Sequence, residues 1–251
     1  MKLIGILAPM PEEIDLICAA MTDVRTEYSG KREFHIGKLE QVDCVVALSR
    51  IGKVASAVTA AVMIEKYNIT HLVVTGVAGA INPKLNIGDI VVSNACMQHD
   101  LDARPLFPQF EAPLLNKSVF ECDSNLVSIA ENACKTLLKE KLSQFITPKD
   151  IDFFNLTNAQ LYTGLLCCGD QFIGNDVQLQ KIRTELPDTL CVEMEGGAVG
   201  QVCYEYQVPY VVIRSISDNA NDNAHIDFNM YINSISRNYC LAIIRYLMKN
   251  I

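Results

Sequence analysis

Along most of this chain short apolar runs alternate with stretches of helical pattern, and that alternation constrains the fold more than any single residue does. "KLIGILA" leads into "PEEIDLICAAM", and "VDCVVALS" leads through "RIGK" into "VASAVTAAVMIEKY". "HLVVTGVAGAI" and "IGDIVVSNA" are apolar and punctuated by glycine. Further on come "LYTGLLCCG" and "DVQLQKIRTEL", "TLCVEM" and "EGGAVGQVCYEY", then "YVVIRSIS" and a terminal helix within "FNMYINSISRNYCLAIIRYLMKN". Near-continuous apolar strands separated by helices need cover on both faces. The expectation is an α/β fold with a central, mostly parallel mixed sheet flanked by helices. No linker or low-complexity tract interrupts the 251 residues, so they read as a single domain over 1–251.

Charge and composition remove whole classes of partner. The net charge of -8 and the absence of a basic patch oppose binding to nucleic acid or to an anionic membrane. No apolar run reaches the length of a membrane span, and "MKLIGILAPMPEE" reads as a buried first strand rather than a signal peptide. The ten cysteines lie in apolar runs such as "LLCC", without a CxxC, as reduced core thiols of a cytoplasmic enzyme do. The Asn-x-Ser/Thr triplets at Asn68, Asn116 and Asn155 are then chance. A mean hydropathy of +0.18 leaves apolar surface to hide, which favours a homo-oligomer. His99, Asp100 and His225 are too scattered to form a metal site, and the Asn219, Asn221, Asn223 series lacks the glycine and closing acid of a calcium loop, so neither metal nor cofactor is expected. "GVAG" falls short of a dinucleotide fingerprint, "RIGKV" of a phosphate loop, and no GxSxG elbow is present.

In open α/β sheets ligands bind beyond the carboxyl ends of the strands. Those ends here carry carboxylates, glycines and one aromatic ring: Glu12 and Glu13, Gly76 to Gly79, Asp170 to Phe172, Glu195, and Asp218. Each has a plain structural reading. Glu12 and Glu13 are acids in a first helical turn, Gly76 and Gly79 can simply make a turn or let backbone approach a ligand, and Asp218 can cap the turn after its strand. Their chemical reading is a general base at Glu13 and, at a partly desolvated Asp218, an acid able to deliver a proton near neutrality. "LCVEMEGGAV" adds Glu193 and Glu195 in an apolar run, where unpartnered charge is costly. A metal-free pocket of this kind suits a small neutral ligand with hydroxyl groups and a flat ring.

"GILAPMPEEIDLI", "IGKVASA", "TGVAGAI", "GDQFI", "CVEMEGGAV" and "VVIRSISDNA", in that order, resemble the 5′-methylthioadenosine/S-adenosylhomocysteine nucleosidases of the purine and uridine phosphorylase superfold. The resemblance spans nearly the whole chain and is weakest between about Arg104 and Asp150. It implies a nucleoside phosphorylase-like fold, a homodimer, and hydrolysis of the N-glycosidic bond of both nucleosides to adenine and a thioribose. On the matching positions it implies Glu13 as the base that activates water and Asp218 as the acid that protonates adenine. Glu195 would hold the ribose hydroxyls, with Met194 under the sugar, Phe228 on the sugar side and Glu193 in a supporting hydrogen-bond or water-mediated role. Phe172 would stack on the purine and Ile173 would offer it backbone groups. Arg214 would orient the water and Ser217 would orient Asp218, while Ile51, Val77, Ala78 and Gly79 join the substrate-binding set. Phe107 or Pro113 would reach the pocket from a neighbouring subunit.

Where phosphorylases of the superfold carry a phosphate loop, this chain reads "APMPEE", and an acidic pair there favours water over phosphate. Three departures bear on selectivity. Val77 stands where bacterial nucleosidases usually offer Ser, Gln171 replaces a small residue beside the purine, and the 104–123 segment differs from the usual lid-like stretch. They keep open a nucleoside phosphorylase or another purine-compound nucleosidase, such as a futalosine hydrolase. A non-catalytic nucleoside-binding protein is the alternative of another class.

Overall fold

The computed structural model describes residues 2–221 and 223–251. Ten strands join in one sheet, in the order β10-β6-β8-β9-β5-β1-β4-β3-β2 with β7 beside β6. In chain order they are β1 Ile4–Ala8, β2 Thr22–Ser29, β3 Arg32–Leu39, β4 Val42–Leu48, β5 His71–Ala80, β6 Ile90–Gln98, β7 Val119–Glu121, β8 Leu161–Cys168, β9 Thr189–Glu193 and β10 Tyr210–Asp218. The helices are α1 Pro11–Ala20, α2 Lys53–Tyr67, α3 Ser124–Thr136, α4 Leu142–Phe145, α5 Pro148–Phe153, α6 Asp176–Glu185, α7 Gly196–Tyr206, α8 Ala224–Tyr231 and α9 Arg237–Met248.

The strands that the sequence marks as apolar throughout are the buried ones: every residue of β1, β9 and β10 is buried. Two parallel blocks make the centre, β4-β1-β5-β10 and β6-β8-β9. Antiparallel pairings of β10 with β6 and of β5 with β9 join the blocks and close five strands into a ring. Apolar clusters cover both faces, one beneath α1, α3 and α9 and one beneath α2 and α7. The hairpin β2–β3 carries no apolar signature; β2 is mostly exposed, which suits an edge strand that must stay unpaired on one side. No helix among the described residues is long and apolar enough to cross a membrane.

The register of β5 sets the position of the site. Its first half pairs with β1 as far as Leu7 and Val74, and its last two residues, Gly79 and Ala80, pair on that side with β9. Between them Thr75 to Ala78 have no strand partner on that edge, although β10 continues along the other. The sheet therefore forks there, and backbone N–H groups at the fork must find other acceptors.

Candidate active site

The fork opens into a pocket walled by Pro9, Met10 and Glu13 after β1, Val77 to Gly79 of β5, Val192 to Glu195 at the end of β9, and Ser217 and Asp218 at the end of β10. Ile51, Phe172 and Phe228 complete the rim, the two rings meeting edge to face with centroids 5.9 Å apart. Twelve of the expected site residues lie on one surface: Glu13, Ile51, Val77, Ala78, Gly79, Phe172, Glu193, Met194, Glu195, Ser217, Asp218 and Phe228.

Glu13 takes its place from both the fork and its helix. Its Oε1 accepts the N–H of Val77, one of the groups stranded at the fork, at 2.9 Å, and its Oε2 accepts the N–H of Met10 at 2.9 Å. The residue is thus a first-turn acid holding the start of α1 and also a pocket carboxylate. Val77, apolar in its side chain, serves this carboxylate through its backbone alone. Burial drives the Glu13 carboxyl up to about 7, against the pull of Arg214 and of the two N–H donors.

Arg214 explains the carboxylate pair in "LCVEMEGGAV". Its guanidinium is fully buried and donates to Glu193, to Glu195 at 3.1 Å and to the Thr75 carbonyl at 3.1 Å. Glu193 in turn accepts the N–H groups of Glu195 and Gly196 at 2.8–3.0 Å, where the N-terminus of α7 favours negative charge. Glu195 accepts the N–H of Gly52 at 2.9 Å, and burial with Glu193 nearby raises it to about 8. Burial pulls Arg214 down, but Glu193, Glu195 and Glu13 outweigh it and hold the guanidinium above its ordinary value. One cation therefore serves three carboxylates.

Two glycines make this possible. A Cβ on Gly76, at φ 152°, would overlap the Arg214 guanidinium and sit 2.7 Å from Glu13 Oε1, and one on Gly79 would sit 2.8 Å from Asp218 Oδ1. The glycines at this strand end thus make room for charged side chains of the protein. Among the described residues Asp218 has no cation partner. It accepts from Ser217 Oγ at 2.8 Å and from the Ala220 N–H at 2.9 Å, and burial still raises it to about 6.

Ile173 and Arg214 are placed differently from the rest of the expected set. The Ile173 side chain is buried in a small cluster with Ile81, Leu179 and Val192, away from the pocket surface. Arg214 lies behind the carboxylates rather than in the pocket wall. Phe107 and Pro113 do not line this chain's own pocket. The sequence reading missed Pro9, Met10 and Val192 as wall residues, and missed a lock behind the rim: Asp170 accepts from the Lys53 N–H at 2.8 Å, and Asp100 accepts from Lys53 Nζ at 2.6 Å and from the Asp170 N–H at 2.8 Å. Asp100 and Asp170 stand out in the sequence, but nothing local pairs them with Lys53, which follows Gly52 at φ 102°.

A closed mixed sheet with a carboxylate-walled pocket at its fork defines a class. Residues 3–247 match the family model described as the phosphorylase superfamily. A 5′-methylthioadenosine/S-adenosylhomocysteine nucleosidase of Shewanella frigidimarina is 35% identical over 247 residues, covering 98% of this chain and 99% of the relative. The nucleosidase of the same designation from Neisseria meningitidis, solved with methylthio-immucillin-A, superposes with a TM-score of 0.88 at 27% identity, covering 100% of both chains. The futalosine hydrolase of Helicobacter pylori superposes with a TM-score of 0.84 at 28% identity, covering 100% of this chain and 98% of its own. The chain belongs to the phosphorylase superfamily and, within it, to the 5′-methylthioadenosine/S-adenosylhomocysteine nucleosidase family.

Proposed function

We propose that this chain hydrolyses the N-glycosidic bond of 5′-methylthioadenosine and S-adenosylhomocysteine, releasing adenine and the corresponding thioribose. The observation that carries the hydrolytic reading is the charge inventory of the pocket. Three glutamates share one arginine, and no Lys or Arg among the described residues lines the wall. A phosphate dianion there would meet carboxylates at short range without a free cation, whereas neutral water would not.

In this reading Glu13 takes a proton from water as its oxygen bonds to C1′, the C1′–N9 bond breaks, and Asp218 gives its proton to N7 so that adenine leaves neutral. The cationic character that develops on the ribose faces Glu13, Glu193 and Glu195, and the negative charge flowing into the base faces a protonated Asp218. Glu195 accepts from the ribose hydroxyls over Met194, with Arg214 and Glu193 fixing its orientation. Ser217 positions Asp218, Phe172 stacks on the purine, Ile173 offers it backbone groups, and Phe228, Ile51 and Val77 to Gly79 enclose the nucleoside. The test is adenine release from both thioethers by the purified protein, with and without phosphate; strict dependence on phosphate sinks the hydrolase. Futalosine belongs in the same assay, because of the H. pylori neighbour and the changed Val77 and Gln171 positions.

We also infer a homodimer whose second copy closes the mouth with Phe107 or Pro113. Leu106, Leu114 and Val54 are 82%, 83% and 75% exposed, and Ile51 at the rim is 52% exposed, an apolar surface that a partner would cover. Sedimentation of the protein and of Leu106→Glu checks this, and a fully active monomer overturns it. Ten thiols without a disulfide suit the cytoplasm.

A further inference from the structure

Beside the mouth of the pocket lies a charge pattern that the reaction does not use. Arg50 precedes the rim residue Ile51 and holds φ at 68°, a left-handed conformation that side chains larger than glycine rarely adopt without a reason. Its guanidinium donates to the Lys31 carbonyl at 2.7 Å, across the β2–β3 turn. Arg32 donates to the Ala55 carbonyl at 3.3 Å, and its Nε is buried with no partner. Among the described residues, none of Lys31, Arg32 and Arg50 forms an ion pair with a carboxylate. That is unexpected in a chain with 29 acidic residues against 21 Lys and Arg. Burial and the neighbouring Arg50 hold Arg32 below its ordinary value, as expected for like charges kept together without a counter-ion.

The three cations line a cleft of about 490 Å³, together with Asp15 and Glu33. Both acids keep only long or neutral partners here: Asp15 is 3.8 Å from Arg237, and Glu33 accepts from the Tyr28 hydroxyl at 3.1 Å with His35 at 3.9 Å. The cleft and the pocket are separate cavities that adjoin at two points of the chain. Met10 and Ile51 line the pocket, and their chain neighbours Pro11 and Arg50 line the cleft. A ligand bound in the pocket with its 5′-substituent toward Met10 and Ile51 would extend into it. A free inorganic anion would be drawn to the cations and repelled by the acids, whereas a zwitterion uses both.

We propose that this cleft is a subsite for the amino-acid end of a 5′-thioether nucleoside, with the α-carboxylate on Arg50 and Arg32 and the α-ammonium on the Asp15 and Glu33 side. The proposal rests on the nucleosidase reading and deepens it: the chain discriminates in favour of substrates whose 5′-substituent ends in a zwitterion. Paired guanidinium groups match a carboxylate in geometry as well as in charge.

The experiment compares three substrates, S-adenosylhomocysteine, 5′-methylthioadenosine and the uncharged 5′-butylthioadenosine, on the wild-type protein, Arg50→Gln and Arg32→Gln. The expected result is a rise of about tenfold in KM for S-adenosylhomocysteine in each variant, with kcat kept and the two uncharged tails within about twofold of wild type. Raising salt to about 0.5 M should weaken the wild-type protein toward S-adenosylhomocysteine alone. Because Arg50 is exposed, its variant keeps the fold, and Arg50→Gly should raise Tm by relieving the left-handed backbone while still losing the preference. KM values that move together for all three substrates, or that do not move at all, overturn the subsite. Absence of adenine release from every substrate by the wild-type protein would instead overturn the nucleosidase reading beneath it.

Discussion

At one end of the pocket Glu13, Glu193 and Glu195 surround Arg214; at the other, Asp218 stands without a cation, held by one hydroxyl and one backbone N–H. Both ends bury carboxylates, and burial alone would neutralise all of them. At the glutamate end the arginine opposes burial, yet burial still carries Glu13 up to about 7 and, with Glu193 nearby, Glu195 up to about 8. At the aspartate end only the Ser217 hydroxyl and the Ala220 N–H oppose burial, and the carboxyl rises to about 6. The two ends thus differ in what stands against burial, a shared cation at one and two hydrogen-bond donors at the other.

Removing that cation is the most severe way to break the contrast. Arg214→Met leaves three buried carboxylates without a counter-ion, and we expect a loss of about 3–5 kcal/mol in urea unfolding at pH 7. The loss should shrink near pH 5, where protons can replace the arginine; a variant as stable as wild type at both values would show that the cation does not hold this end together. At the other end, Asp218→Asn should lower kcat by about 10³-fold with the fold intact, measured as adenine release. A near-normal rate removes Asp218 from proton transfer. Glu13→Gln should cost less, about 10²-fold, because Arg214, Glu193 and Glu195 still face the sugar; a loss exceeding that of Asp218→Asn would reverse the ranking of the two ends.

The pH dependences sharpen the comparison with smaller effects. Glu13 titrates at about 7 and Asp218 at about 6, so a form with Asp218 protonated and Glu13 ionised peaks between them. The pH profile of kcat/KM should be a bell whose limbs, near those two values, belong to the pair rather than to either residue. For stability, the folded Asp218 carboxyl lies above its ordinary 3.8, so its contribution is fully present below about 4 and is lost as pH rises through about 6. Asp218→Asn escapes that loss. Its stability relative to wild type should therefore improve by about 2 kcal/mol between pH 4.5 and pH 7 in denaturant titrations, and a flat difference would mean that Asp218 is not desolvated in the folded state.

Much of the pocket could be read from strand ends. Within each parallel block the carboxyl ends point the same way, which groups Glu13 with Asp218 and Phe172 with Glu195, each at or just past the end of an apolar run; the antiparallel joints between the blocks bring the two groups to one pocket. The purposes of Gly76 and Arg214 were not readable in that way. The arginine sits inside the strand "YVVIRSIS", where an apolar environment gives no hint of its partners, and Gly76 looks like a turn until the guanidinium is seen in the space its missing side chain leaves. The β2–β3 hairpin was equally silent, since an exposed edge has no need of apolar alternation, and Arg50 shows its oddity only in its backbone angle.

The sequence by itself determined the α/β class, the alternation of the central strands with helices, the nucleosidase resemblance and the set of residues near the strand ends. These follow from periodicity and from the position of a residue relative to its own element, which are local properties. Only the tertiary structure decided which charges meet. The Val77 N–H reaches Glu13 across 64 residues of chain, the Gly52 N–H reaches Glu195 across 143, and Arg214 reaches Thr75 across 139. Whether a buried carboxylate holds a charge or a proton depends on the burial and on the cations brought to it by such distant segments, and the fork where β5 leaves β1 for β9 is what brings them together.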